Sequence, residues 1–127
     1  LSSWSTGEVT SMKFMFRDAA SFNADISSWD TSKVTDMESM FADATAFDQD
    51  ITSWSTANVA VFTGMFDGAT AFNRDLSPWD VSGGTNFDYM FSGASAFTPA
   101  LCWAITEGTD MFLNAHGASG GANAPTW

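Results

Sequence analysis

The chain has 127 residues, a formal net charge of −11 and a single cysteine. The negative charge repels polyphosphates and anionic lipid, which argues against nucleic acid and against a charged membrane surface as partners. One cysteine excludes an internal disulfide. An apolar fraction of 45% is sufficient for a packed core, while no apolar run approaches the roughly 20 residues of a membrane-spanning helix.

Large apolar residues recur along the chain with a period of 25 residues, which is the signature of a repeat array. We interpret the recurring columns as core, because aromatic residues exposed in every unit would promote aggregation. A sugar-stacking platform of tryptophans is the alternative to that interpretation. The residues assigned to the core are Trp29, Trp54, Trp79, Met40, Phe41, Met65, Phe66, Met90 and Phe91.

One unit shows the order of the predicted elements. It opens with Ile26-Ser27-Ser28-Trp29, which predicts a strand of about four to six residues. Thr35 and Glu38 then match a helix capping box. The apolar residues that follow have the spacing i, i+3, i+4, i+7, which predicts one face of a short helix; they are Met37, Met40, Phe41 and Ala44.

These elements predict an α/β fold, a leucine-rich-repeat-like solenoid of about five 25-residue strand–turn–helix units with a parallel sheet. An all-β solenoid is the alternative. We predict a single repeat domain over residues 1–116 with a degenerate last unit, followed by a Gly/Ala-rich linker or tail over 117–127. Cys102 and His116 have no evident orienting group, and no catalytic motif occurs, so the chain is predicted not to be an enzyme.

The unit that contains Ile26, Trp29, Val34, Met37 and Met40-Phe41 resembles the BspA-like surface-protein repeat. The resemblance covers about residues 1–100 and does not extend beyond Leu101. It implies an extracellular, leucine-rich-repeat-like array with an adhesive role and no catalytic residues.

Two sets of polar residues are candidate sites. Small polar residues near the predicted strand would form an exposed binding face; they are Ser28, Asp30, Ser53, Ser55 and Asp80. Asp25, Asp50 and Asp75 form one column. We interpret them as caps of turns, with a calcium site as the alternative because calcium prefers carboxylate oxygens.

The function expected from the sequence is a non-enzymatic extracellular or cell-surface module for adhesion or recognition of a protein or glycan, within a larger surface protein. A structural spacer is the second hypothesis. A calcium-binding array and an ice-binding array, the latter suggested by Thr6, Thr31 and Thr56, rank below both. No resident cofactor is expected, and the oligomeric state and the ligand stay open.

Overall fold

The computed structural model describes residues 1–99, 101, 103–105 and 109–115, and within these ranges no residue lies in a helix. The β structure there consists of isolated parallel bridges, Ser11↔Asp36, Asp36↔Val61 and Val61↔Asn86. The prediction of an α/β, leucine-rich-repeat-like solenoid is therefore wrong, and the all-β alternative is not supported either. Cys102, His116 and the predicted linker 117–127 lie outside the described residues.

The segment that was predicted to be a helix is a run of tight turns. In residues 37–44, the amides of Met40 and Ala44 donate to carbonyls three residues earlier, those of Met37 and Phe41, at 3.2 and 3.1 Å. The amides in alternate positions donate instead to the next unit, as Phe41 does to Met65 at 2.9 Å. An α-helix would send every amide to the carbonyl four residues earlier. Half of the amides of this segment thus connect neighbouring units.

Positive backbone φ angles close these turns. Ser39 and Asp43 have φ values of 50° and 55°, and Gly64 and Gly68, the equivalents in the next unit, have 58° and 67°. Each is the third residue of a four-residue turn, a position where β-turns of some types require positive φ. Successive turns of this length produce the i, i+3, i+4, i+7 spacing of buried side chains without a helix.

The predicted capping box makes contacts between units rather than a helix cap. The Thr35 hydroxyl and amide both donate to the Thr10 carbonyl, at 3.2 and 2.8 Å. The Glu38 carboxylate pairs with the Lys13 ammonium. Residues 25 positions apart thus hold neighbouring units together, so the 25-residue period of the sequence is also the period of the contacts.

The core is a continuous stack of aromatic and sulfur-containing side chains. Within a unit the Phe41 and Phe47 rings lie 3.9 Å apart, and between units the Phe41 and Phe66 rings lie 5.6 Å apart and nearly parallel. Offset stacking of this kind adds to the free energy gained by burying the rings. The residues assigned to the core from the sequence are all buried: Trp29, Trp54, Trp79, Met40, Phe41, Met65, Phe66, Met90 and Phe91.

Buried polar groups also join the units. The Trp54 indole N–H donates to the Ile26 carbonyl at 3.1 Å. The Thr56 hydroxyl donates to the Asp80 carbonyl at 2.9 Å. Buried polar groups need such partners because their desolvation is otherwise unfavourable. Thr6, Thr31 and Thr56 are buried, so they form no exposed row to which ice could bind.

Candidate functional site

The candidate binding residues share one exposed stretch of each unit. In unit 51–75, Ser53 and Ser55 are exposed, while Trp54 and Thr56 are buried. Their equivalents Ser28, Asp30 and Asp80 are exposed as well. Because this part of the chain alternates between core and solvent, the same polar positions are presented in successive units.

The aspartates of the predicted turn-capping column flank this stretch. The Asp50 carboxylate Oδ1 accepts hydrogen bonds from the Thr52 amide at 3.0 Å and from its hydroxyl at 2.7 Å. Asp25 and Asp75 make the same pair of bonds to Ser27 and Ser77. Each of these aspartates therefore stabilises the start of a turn through one carboxylate oxygen, as Asp side chains commonly do.

Asp30 and Asp80 repeat that geometry five residues further on. Asp80 Oδ1 accepts from the Ser82 amide at 3.0 Å and from the Ser82 hydroxyl at 2.6 Å. Asp30 Oδ1 accepts from the Ser32 amide at 3.0 Å. We call the combined surface the acidic face; its members are Asp25, Ser28, Asp30, Asp50, Ser53, Ser55, Asp75 and Asp80.

Hydrogen bonding keeps the carboxylates of the acidic face ionised. The pKa of Asp25 lies below its ordinary value because the Ser27 hydroxyl and then the Ser27 amide donate to the charged form. The pKa values of Asp50 and Asp75 are lowered in the same way by Thr52 and Ser77. Ser32 and Ser82 lower those of Asp30 and Asp80.

Within the part of the chain that the structure describes, no carboxylate of this face forms a direct ion pair, although Lys33 and Arg74 lie close enough to favour the charged forms of Asp30 and Asp50. The ion pairs there join Lys13 to Glu38, Arg17 to Asp18, Lys33 to Glu8 and Arg74 to Asp48. None of those carboxylates belongs to the acidic face. The face therefore presents fixed carboxylate and hydroxyl groups, which can accept hydrogen bonds from the hydroxyls of a glycan or from cationic side chains of a protein.

The described residues contain no cluster of ligands that matches the calcium alternative. Among the described residues, no group of three or more His, Cys, Asp or Glu side chains is arranged so that it could hold a metal ion. Asp25, Asp50 and Asp75 each cap a turn of their own unit. They recur from unit to unit because the turn recurs.

A second polar column, formed by Asn23, Asp48 and Asn73, bonds backbone amides of the neighbouring unit. The Asn23 side-chain carbonyl accepts from the Asp48 amide at 2.9 Å, and the Asp48 carboxylate accepts from the Asn73 amide at 3.0 Å. Asn73 in turn accepts from the Thr98 amide at 3.0 Å. These side chains bond the next unit rather than their own turn. In the sequence, the sign of this role is a column of Asn and Asp residues that recurs every 25 residues.

The comparisons with known proteins place the chain in a family. Residues 1–103 match the model of the family described as Mycoplasma protein of unknown function, DUF285. No curated protein and no solved structure matches the chain. Within the described residues, no helix is long and apolar enough to cross a membrane. Because the family match spans most of the 127 residues, the chain belongs to the DUF285 family.

Proposed function

We propose that this chain is a non-enzymatic recognition or adhesion module at the cell surface or outside the cell, and that the acidic face is its binding surface. The observation that carries the proposal is the repetition of exposed carboxylates and hydroxyls beside buried core positions, such as Trp29, Trp54 and Trp79, in successive units. A repeated surface of this kind suits an extended ligand, as in other repeat proteins.

The more specific assignment of the chain to the BspA-like surface repeats is part of the same proposal. The DUF285 match covers residues 1–103, which is the stretch whose motif resembles the BspA-like surface repeat. An extracellular location and a protein or glycan ligand follow from that resemblance. The ionised carboxylates of the acidic face favour a partner rich in Lys or Arg, or a neutral glycan, over an anionic one.

A binding array of glycans and of basic proteins tests the proposal. Asp30→Asn with Asp80→Asn removes two charges from the acidic face, while the amide oxygens can still accept the bonds from Ser32 and Ser82. The matched control is Asp18→Asn with Asp43→Asn, which removes two exposed carboxylates from the turn segments. We expect a ligand whose binding weakens only with the first pair.

A structural spacer is the competing function. It predicts that no array member binds and that both pairs of substitutions leave attachment of cells displaying the protein unchanged. Equal loss of binding with both pairs would instead show that net charge, and not the acidic face, determines attachment.

A further inference from the structure

Tyr89, the one tyrosine of the chain, lies outside the aromatic stack. Phe91, two residues further on, stacks on Phe66 and on Phe112 with ring centroids 5.5 Å apart in each case. Among the described residues no ring stacks on Tyr89, which is 41% exposed. The next unit nevertheless packs beside it, because the Tyr89 amide donates to the Thr109 carbonyl at 2.9 Å. The ring is therefore exposed at a position that has a neighbouring unit on either side.

The backbone of Tyr89 lies in the left-handed region. Its φ is 56°, a value that is rare for a bulky residue. The equivalent positions of the preceding and the following unit carry Gly64 and Asp110, residue types that adopt this region more readily. An exposed ring recovers little of the backbone strain through packing, and such strain is concentrated at binding sites. Tyr89 is therefore better explained by an interaction with a partner than by the stability of the fold.

The first unit shows what an aromatic ring at this position attracts. Phe14 is the equivalent of Tyr89 three periods earlier. The Lys13 ammonium lies 4.9 Å and the Arg17 guanidinium 5.4 Å from the centroid of the Phe14 ring. Lys13 also pairs with the Glu38 carboxylate, so its charge lies between a ring and a carboxylate. Both contacts stabilise a cation, the first through the negative face of the ring.

Tyr89 has a ring and carboxylates but no cation beside it among the described residues. Asp88 takes the place that Lys13 has in the first unit, and Asp110 is the equivalent of Tyr89 in the next unit. The last Lys or Arg of the sequence is Arg74, and its guanidinium pairs with a carboxylate of the second unit at 3.0 Å. The position thus combines an exposed aromatic ring with negative charge that no Lys or Arg of its own unit neutralises.

We propose that Tyr89, with the carboxylates of Asp88 and Asp110, binds a Lys or Arg side chain of a partner protein. We call these residues the Tyr89 site. The ring supplies a cation–π contact and the carboxylates supply the opposite charge. A neutral or anionic side chain gains neither contact. The Tyr89 site belongs to the turn segments and shares no residue with the acidic face, so the two surfaces bind independently.

Tyrosine labelled with carbon-13 in its ring reports on this site directly, because the chain contains no other tyrosine. The probe is the peptide acetyl-trilysine amide, added to the whole chain at an ionic strength of about 0.15 M so that long-range attraction is screened. We expect the Tyr89 ring resonances to shift saturably with this peptide. The same peptide acetylated at its side-chain amines lacks the charge, and we expect it to leave the resonances in place.

A matched pair of variants tests the analogy with the first unit. Asp88→Lys places an ammonium where Lys13 has one, so we expect this ammonium to occupy the ring and to abolish the shift caused by trilysine. Asp43→Lys makes the same change of net charge in another turn segment, and we expect the shift to persist. Asp110→Asn should weaken the binding by about two- to fivefold, the range of an exposed charge contact.

Removal of the ring itself is followed through a neighbouring amide. The Gly64 amide donates to the Asp88 carbonyl at 2.8 Å, so its resonance reports on the site in Tyr89→Ser. We expect the affinity for trilysine to fall by about two- to fivefold, as for the loss of a cation–π contact at an exposed site. Tyr89→Phe keeps the ring and should keep the affinity.

Several results would overturn the proposal. They are Tyr89 ring resonances that stay unchanged with trilysine, equal shifts with the acetylated peptide, and an unchanged affinity in Tyr89→Ser. A shift with the neutral sugar maltotriose but not with trilysine would do the same, because the ring would then bind a glycan. Asp30→Asn with Asp80→Asn should leave the trilysine shift intact. Loss of the shift in that pair would place the binding on the acidic face and not at the Tyr89 site.

Discussion

The first unit and the interior units contain nearly the same residues at equivalent positions but differ in burial. Leu1 is 39% exposed, and Ile26 and Ile51, one and two periods later, are completely buried. Phe16 is half-buried, and Phe41 and Phe66 are completely buried. Burial in this molecule is therefore a property of neighbouring units and not of a single unit. A lone unit could not cover its own apolar side chains, as expected for repeat proteins.

Truncating equivalent tryptophans in the first unit and in an interior unit should change the free energy of unfolding by very different amounts. Trp54→Ala is expected to lower the free energy of unfolding by about 3–5 kcal/mol, because it removes a buried ring between two units. Trp4→Ala should lower it by less than about 1 kcal/mol, since the ring is half in solvent. Denaturant titrations of both variants measure the difference. Similar losses for the two variants would contradict the comparison.

A smaller effect is expected from removing one buried hydrogen bond between interior units. Thr56→Val keeps the shape of the side chain but leaves the Asp80 carbonyl without its 2.9 Å donor. We expect the free energy of unfolding to fall by about 1–2 kcal/mol. Thr56→Ser retains the hydroxyl and serves as the control. If valine and serine were equally tolerated, the hydroxyl would contribute nothing to the joining of the units.

Acid should weaken the turns of the interior units by a still smaller amount. Asp50 has a lowered pKa because it accepts bonds from Thr52, so the unfolded chain takes up its proton first as the pH falls. The stabilisation is complete above the unfolded value of 3.8 and is lost as the pH falls through the lowered folded value.

Unfolding measured at pH 7 and near pH 3 tests this pH dependence. We expect Asp50→Asn to lose less stability between the two pH values than the unmodified chain, because an amide does not titrate. Asp43→Asn provides the control for net charge. An identical pH dependence for the unmodified chain and Asp50→Asn would show that the hydrogen bonds from Thr52 do not stabilise the charged carboxylate.

The repeat period and the composition of the core could be predicted from the sequence. Trp, Met and Phe recur every 25 residues, and side chains of this size must be buried together if the protein is to stay soluble. Exposure of Ser53 and Ser55 beside Trp54 follows from the alternation of polar and apolar residues. These conclusions depend only on side-chain chemistry and spacing, which the sequence contains directly.

The backbone conformation was predicted wrongly because the same apolar spacing is compatible with two backbone conformations. An α-helix and a run of four-residue turns both bury Met37, Met40, Phe41 and Ala44 on one side. The sequence does contain a feature that favours the turns over the helix. Gly64 and Gly68 lie four residues apart where a helix was predicted, and two glycines would destabilise a short helix. Both have positive φ, which glycine adopts without strain.

The central claim is that these segments are tight turns with one positive-φ residue each, and not helices; Gly64→Ala tests this claim most directly. Gly64 has a φ of 58°, and an added Cβ would lie 3.2 Å from the Ser39 hydroxyl. The account predicts that the free energy of unfolding falls by about 1–2 kcal/mol, because alanine is strained in the left-handed region. A helix would instead gain about 1 kcal/mol from the same substitution. A stabilised Gly64→Ala variant would contradict the account.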